Sequence, residues 1–402
     1  MKPGQTAHRA TGGFRVVIAA TGADMQEHVA AWDTLAAASV EPNPFYESWM
    51  LLPALAAFGA ENPPLFVMVY QDQPAGAARM CGFFPLCRRR PAGSRGEVLA
   101  LWTHPHCFLC TPLLLAETAD GCLRALLRWA ARDRRGAAVM RWELIGADGH
   151  FQRSLGEFLW NWSGAWRVEH SITRALFRPC DDAEAYLSKT LSGSGRRDLR
   201  RHRRQLAENA GFEYRRLDCG DQAEQQQWAL WFLGLEAAGW KGRDHTALAS
   251  SAAAREYFMT ITRSAASGGR LEMNGYFVDG RPIAMRCAFA CGGGVFGFKM
   301  AFDESYARFS PGILLEVDSI RFYHDTSRIG WLDSCATPDS SLANRLYNDR
   351  RCLQTIVISA GSIGGDFRVA SGPLTAIFRS IPRRIRHLIR GSSKGRRSKP
   401  VE

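Results

Sequence analysis

The stretch RPIAMRCAFACGGGVFGFKMAFDESYARFSPGILLEVDSIRFYHDTSRIGWLD, from Arg281 to Asp333, decides the fold. Ile283 to Ala290 and Val295 to Ala301 are apolar runs of strand length. Gly292, Gly293 and Gly294 join them, and their access to positive φ suits a hairpin turn. Lys299-Met-Ala-Phe-Asp303 closes the second strand. Ser310-Pro311-Gly312 then opens a helix predicted to run to about Tyr323, with serine as N-cap, proline at the first helical position and a glycine permitting close backbone approach. Ile313, Val317 and Ile320 recur at helical spacing and form its expected buried face. An uncapped ring of N–H groups at that helix start, the positive dipole end and nearby Arg308 together suit a phosphate or pyrophosphate. Ile329 to Leu332 returns as a strand ending at Asp333.

Upstream, Asp181 to Leu187 reads as a short helix with acidic residues in its first turn, and Ser192 to Gly195 as a flexible break. Arg196 to Leu206 is a strongly basic helix that is expected to stop at Gly211. Two readings of it stand side by side. Helical spacing puts Arg196, Arg200 and Arg203 or Arg204 on neighbouring turns, a clamp for an anionic ligand; alternatively the helix is a solvated face with Leu199 and Leu206 packed inward. Gln222 to Gly239 is a longer helix with Trp228, Trp231, Phe232 and Leu235 at core spacing. At its end Glu236, Trp240 and Lys241 suit an acceptor pocket, with Trp240 as core anchor and Lys241 as surface residue the plainer alternatives.

The first half, to about residue 175, offers a similar series. Val16 to Ala20 is a short strand, Met25 to Ala38 a helix, and Trp49 to Phe58 a helix broken near Pro53. Leu65 to Tyr70 and Met80 to Arg88 form a strand pair, followed by Val98 to Trp102, an amphipathic helix over Asp120 to Arg134, and the strand Val139 to Leu144. No anion-holding helix start is recognisable there. His104-Pro-His106-Cys107-Phe-Leu-Cys110 brings imidazoles and thiols together as zinc ligands do, but the second pair of a zinc motif is missing, so the segment reads as a loop.

Glu236 with Gly239-Trp240-Lys241-Gly242, the Asp279-Gly280 turn, Lys299-x3-Asp303, Arg308-x-Ser310-Pro311-Gly312, Asp333 and Asn344-Arg345-Leu346 follow one another in an order that resembles acyltransferases of the GNAT superfamily. The resemblance is specifically to the BioF-type domain of cellulose-biosynthesis (CelD-type) proteins, and it spans roughly residues 180 to 360. His245, Ser340 and Tyr347 depart from that pattern. The resemblance implies an α/β (α+β) fold of tandem GNAT-like, Fem-like domains with mixed central sheets flanked by helices. Residues 1–175 would be a degenerate copy shaping the substrate cleft, 176–360 the acyltransferase domain, and 361–402 a tail.

The implied chemistry is acyl transfer from acetyl-CoA or another acyl-CoA, without a metal. On that reading Lys299, Arg308, Ser310, Pro311, Gly312 and Ile313 hold the coenzyme, the pyrophosphate lying on the amides around Ser310 and Gly312. A main-chain N–H near Lys299 to Ala301 serves the thioester oxyanion. Asp303 is the first choice of general base, with Glu236 and Asp333 as rivals, while an ion pair with Lys299 would give Asp303 a structural role. Tyr347 or Tyr306 would protonate the thiolate. Trp240, Lys241, Arg196, Arg200, Asp333, Asn344 and Arg345 would contact the acceptor.

Composition sets the remaining bounds. A chain of 402 residues with 46% hydrophobic content has room for two domains and is not largely disordered. No apolar run reaches the roughly 18–20 residues needed to span a bilayer, and Met1 to Gly13 lacks the apolar core of a signal peptide, which points to the cytoplasm. The eleven cysteines, irregularly spaced, read as small buried hydrophobes in a reducing compartment. Much of the net charge of +12 sits in the tail, where Ile377, Phe378, Ile381, Ile385, Leu388 and Ile389 fall on one helical face among arginines. That basic amphipathic pattern suits the inner face of the cytoplasmic membrane, an anionic surface. Three functions follow: an acyltransferase acting on a sugar or lipid-linked intermediate of cellulose or exopolysaccharide synthesis, a non-catalytic accessory protein recruited to a membrane synthase, and a nucleic-acid-binding protein. The last is disfavoured because aromatic residues are not interleaved with the basic runs. Related folds that take aminoacyl-tRNA keep a second donor class open.

Overall fold

Arg281–Cys291 and Gly294–Phe302 pair as an antiparallel hairpin turned by Gly292 and Gly293, both at positive φ. Pro311–Thr326 is the helix that follows, and Trp331–Asp333 the returning strand. The computed structural model describes residues 6–9, 13–74, 76–91, 96–132, 138–326 and 329–371. The amphipathic segment Ile377 to Ile389 lies outside them. Among the described residues no helix is long and apolar enough to cross a membrane.

Among the described residues fourteen strands build one mixed sheet: β1 (Thr6–Arg9), β2 (Phe14–Ala19), β3 (Leu65–Gln71), β4 (Arg79–Arg89), β5 (Val98–Leu101), β6 (Leu113–Leu114), β7 (Val139–Gly146), β8 (Trp166–Phe177), β9 (Glu213–Arg216), β10 (Leu271–Val278), β11 (Arg281–Cys291), β12 (Gly294–Phe302), β13 (Trp331–Asp333) and β14 (Asp349–Ser359). The chain runs twice through one order of elements. β2 to β5 are antiparallel neighbours and β5 pairs parallel with β7; β9 to β12 are antiparallel neighbours and β12 pairs parallel with β13. Two long helices separate the first and second strand of each series, Val29–Ala37 and Ser48–Phe58 in one, Gln222–Ala238 and Ala252–Ser267 in the other. Ser48–Phe58 and Ala252–Ser267 pack on each other.

The closing strand of each series crosses over. β8 pairs with β13, β14 pairs with β7, and β8 and β14 pair with each other, so neither series completes its sheet from its own residues. Alternation along β11 separates two cores, as a period of two requires. Met285, Cys287 and Phe289 face Trp228, Phe232, Phe258 and Ile261, whereas Ala284 and Ala288 face Leu314, Leu315, Ile320 and Tyr323.

Three local expectations are corrected. Ser48–Phe58 runs unbroken through Pro53, because Met50, Leu51 and Ala54 are wholly buried and hold the helix across the missing N–H. Gly193-Ser-Gly195 is no break but the first turn of a helix, Gly193–Ala207, whose start is fixed by the Ser192 hydroxyl accepting from Gly195 N–H at 3.1 Å. Ser310 is not an extended N-cap. It takes a left-handed conformation, φ 52°, and its carbonyl accepts from both Ile313 and Leu314.

Candidate functional site

β12 and β13 pair only from Gly294 to Phe296 against Trp331 to Asp333, after which the two parallel strands part. On the other edge of β12 the register slips: Cys287 stands opposite Lys299 and Ala288 opposite Gly297, leaving Phe298 as an extra residue. Such a bulge bends its strand and frees a ladder amide, and it turns Phe298 and Lys299 to the same side. Beyond Phe296 the β13 edge of β12 is thus a stretch of backbone with no strand partner among the described residues.

On that side lies a compact charged cluster. Glu236 is fully buried; its Oε1 accepts from Lys299 Nζ at 3.1 Å and Lys241 Nζ at 3.3 Å, and its Oε2 from Leu248 N–H at 2.8 Å. Lys241 Nζ also donates to the Met300 carbonyl at 3.1 Å. Burial holds the Lys241 ammonium below its ordinary pKa, with Glu236 opposing and Lys299 adding to the shift.

Above the cluster sits the His104-Pro-His106 loop of the first series. His106 stacks on Tyr257 at 6.0 Å and meets Phe298 at 6.1 Å, while His104 stacks on Phe58 at 5.1 Å. Burial, then the charge of Lys299, pushes His106 down to about 4; burial, then His106, pushes His104 down to about 3. Both imidazoles are therefore neutral at pH 7. His104 Nδ1 accepts from His106 N–H at 3.3 Å, which leaves its buried Nε2 as a donor with no partner among the described residues. Cys107 and Cys110 approach to 3.7 Å, but among the described residues no three His, Cys, Asp or Glu side chains are placed to hold a metal.

On the opposite face stands the start of Pro311–Thr326. The amides there are fewer than the sequence suggests. Pro311 has none, Ser310 N–H donates to Ala307 O and Ile313 N–H to Ser310 O, so Gly312 supplies the amide with no hydrogen-bond partner among the described residues. A Cβ on Gly312 would lie 3.0 Å from Met300 Sδ. Arg308 is exposed, its guanidinium 4.6 Å over the Phe309 ring. The Gly193–Ala207 helix packs against the Glu304–Phe309 turn.

The other expected site residues lie as follows. Asp303 accepts from Ser305 N–H at 2.9 Å and Ser305 hydroxyl at 2.8 Å, capping the Glu304–Phe309 turn; the expected pair with Lys299 is replaced by Lys299–Glu236. Asp333 is fully buried between Arg174 and Arg351. Tyr347 is buried on the Pro311–Thr326 side of the sheet and donates to Glu316. Tyr306 is half-buried on the turn before the helix. Asn344 Nδ2 is held by the Pro338 carbonyl at 2.7 Å, and a guanidinium nitrogen of Arg345 lies 3.3 Å from where a Gly195 Cβ would be. Trp240 is 52% exposed, with Lys241 Nζ 5.9 Å from its ring, so it is no core anchor. His106 carries no sequence signal of its place beside Phe298, because its motif points to metal and the bulge that faces it depends on strand register.

The family model described as "Acetyltransferase (GNAT) domain" matches residues 193–338. Among solved structures the chain is similar to FemX, at 9% identity over 82% of this chain and 95% of that one, with a TM-score of 0.51, a likeness of fold. It also aligns with the C-terminal domain assigned to a lysylphosphatidylglycerol synthetase from Agrobacterium fabrum (11% identity, 87% and 96% covered, TM-score 0.48). A tandem GNAT protein from the clavulanic acid biosynthesis pathway aligns at 13% identity, 87% and 99% covered, with a TM-score of 0.40. No curated protein matches the sequence.

Proposed function

We propose, from the match of residues 193–338 to the model of the GNAT acetyltransferase domain, that the chain transfers an acyl group from an acyl-CoA to an amine or hydroxyl. The parting of β12 from β13 at a bulge, with a helix start at its mouth, is the observation that carries the reading. In this proposal the thioester lies along the unpaired edge of β12 and its oxygen meets a main-chain N–H near Lys299 to Ala301. The diphosphate rests on Gly312 N–H, with exposed Arg308 as the nearby cation, while Lys299 on the other face of the sheet is held by Glu236. Glu236 acts by fixing Lys299 and Lys241 rather than by taking a proton, because each of its oxygens already accepts a hydrogen bond. His106 takes the acceptor's proton: its ring contacts Phe298 at the bulge, and no described group bonds its ring nitrogens. Tyr306 returns a proton to the thiolate, and Trp240 walls the acceptor. The CelD-type resemblance assigns the acceptor to sugars or lipid-linked intermediates of polysaccharide synthesis.

Titration with acetyl-CoA tests the donor. Gly312→Glu is expected to weaken acetyl-CoA binding at least tenfold, through a carboxylate set against the diphosphate, while the flexible Met300 thioether yields and the fold persists. Equal affinity in a folded variant would overturn the placement. With an amino-sugar acceptor panel, His106→Ala should lower kcat by about 10²–10⁴-fold at unchanged acetyl-CoA affinity, with partial rescue by added imidazole. Binding without turnover of any acceptor would instead support an accessory protein.

A further inference from the structure

A groove that the acyl-transfer reading leaves empty runs between the Ala183–Thr190 and Gly193–Ala207 helices and the side of Pro311–Thr326. Leu187, Leu191, Leu199, Leu314 and Val317 form its floor, and arginines form its rim. The rim is electrically uneven. At one end Arg203 is paired with Asp318, and Arg321 with Glu184 at 2.9 Å and Asp318 at 3.4 Å. At the other end Arg196 and Arg200, one turn apart, have no ion-pair partner among the described residues, and Arg196 Nε is buried with nothing to donate to. Arg345, also without an ion-pair partner among the described residues, brings its guanidinium to Gly195 at that same end. The cationic end therefore asks for an anion, and the leucine floor asks for a chain of methylene groups beside it.

We infer that this groove binds the phosphate ester of an aliphatic alcohol, its phosphate on Arg196 and Arg200 and its chain along Leu187, Leu191, Leu199, Leu314 and Val317. Phosphate fits the arginines because a guanidinium can donate two parallel hydrogen bonds to two of its oxygens. A nucleic acid fits less well, since no aromatic side chain lines the groove to stack a base. The binding stands on the groove itself. Its meaning as the anchor of a lipid-linked acceptor rests on the acyl-transfer reading, and the two fail separately.

Calorimetric titration of the full chain with n-decyl phosphate below its micelle concentration, inorganic phosphate and acetyl-CoA tests both. Decyl phosphate is expected to bind at least tenfold more tightly than inorganic phosphate. Arg196→Glu with Arg200→Glu should weaken it at least tenfold while leaving acetyl-CoA affinity and the thermal midpoint in place. Arg196→Gln with Arg200→Gln, which adds no negative charge, should give a smaller loss in the same direction. Equal affinity for the two phosphates, an undiminished decyl phosphate affinity in the Glu variant, an equal loss of acetyl-CoA binding, or RNA binding through these arginines without decyl phosphate binding would each overturn the inference. A protein that takes decyl phosphate but no acetyl-CoA would refute the donor and leave the groove standing.

Discussion

Asp333→Asn is expected to destabilise the protein by about 3–5 kcal/mol, the cost of removing one partner from a buried ion cluster. Asp333 Oδ2 accepts from Arg174 at 2.6 Å and from Arg351 at 2.8 Å, its Oδ1 accepts from Cys335 N–H at 3.0 Å, and Arg351 goes on to pair with Glu41. Burial pushes the Asp333 carboxyl up, but Arg174 and then Arg351 more than reverse this and leave it below the usual carboxylate range. The three residues come from β13 and from β8 and β14, the two strands that exchange between the series, with Arg351 directly opposite Arg174 in register. Glu41 presses on the backbone at Gly146, where an added Cβ would come within 2.4 Å of its carboxylate. The cluster thus fastens the crossover, and an amide at position 333 leaves two guanidinium groups buried with one carboxylate between them. Chemical denaturation measures the loss. A fall below about 1 kcal/mol together with weakened acceptor binding would instead restore Asp333 to the acceptor contacts for which its sequence context argues.

The hairpin, the helix and the returning strand of Arg281 to Asp333 were legible because their signals are local: strand-length apolar runs, a glycine turn and Ser-Pro-Gly before a helical pattern. The basic helix was legible for the same reason, and its arginines do share one groove. What escaped the sequence was set by long-range geometry. Lys299 and Asp303 are four residues apart, yet Lys299 reaches Glu236, sixty-three residues distant, because the bulge at Phe298 turns it toward the Gln222–Ala238 helix. The exchange of β8 and β14 leaves no mark in either strand, since a strand's alternation tells which face is buried and not which strands flank it. The helix start was overread: three of the four residues from Ser310 to Ile313 have no amide to spare, and only backbone conformation reveals it.

Lowering the pH from 7 to 4.5 is expected to remove several kcal/mol of stability, most of it before the carboxylates titrate. His104 and His106 have folded-state pKa values of about 3 and about 4, below their ordinary 6.5, so between these limits the unfolded chain takes up protons that the folded chain refuses. Stability then rises with pH across this window and falls as acid is added, by about 1.4 kcal/mol per unit for each histidine, on the order of 3 kcal/mol each once the window is crossed. His28, also lowered by burial, adds in the same direction. Asp333 belongs to a different range: its depressed carboxyl contributes stability above its unfolded pKa and loses it only below about pH 4. Denaturation midpoints at pH 7, 6, 5 and 4.5 separate the two. His104→Phe keeps a ring to stack on Phe58 and removes one titrating group, so its dependence on pH over this window should be shallower by close to half. An unchanged slope in that variant would mean that His104 is solvated and charged in the folded protein, and the neutral imidazole pair that roofs the Lys299 cluster would have to be abandoned.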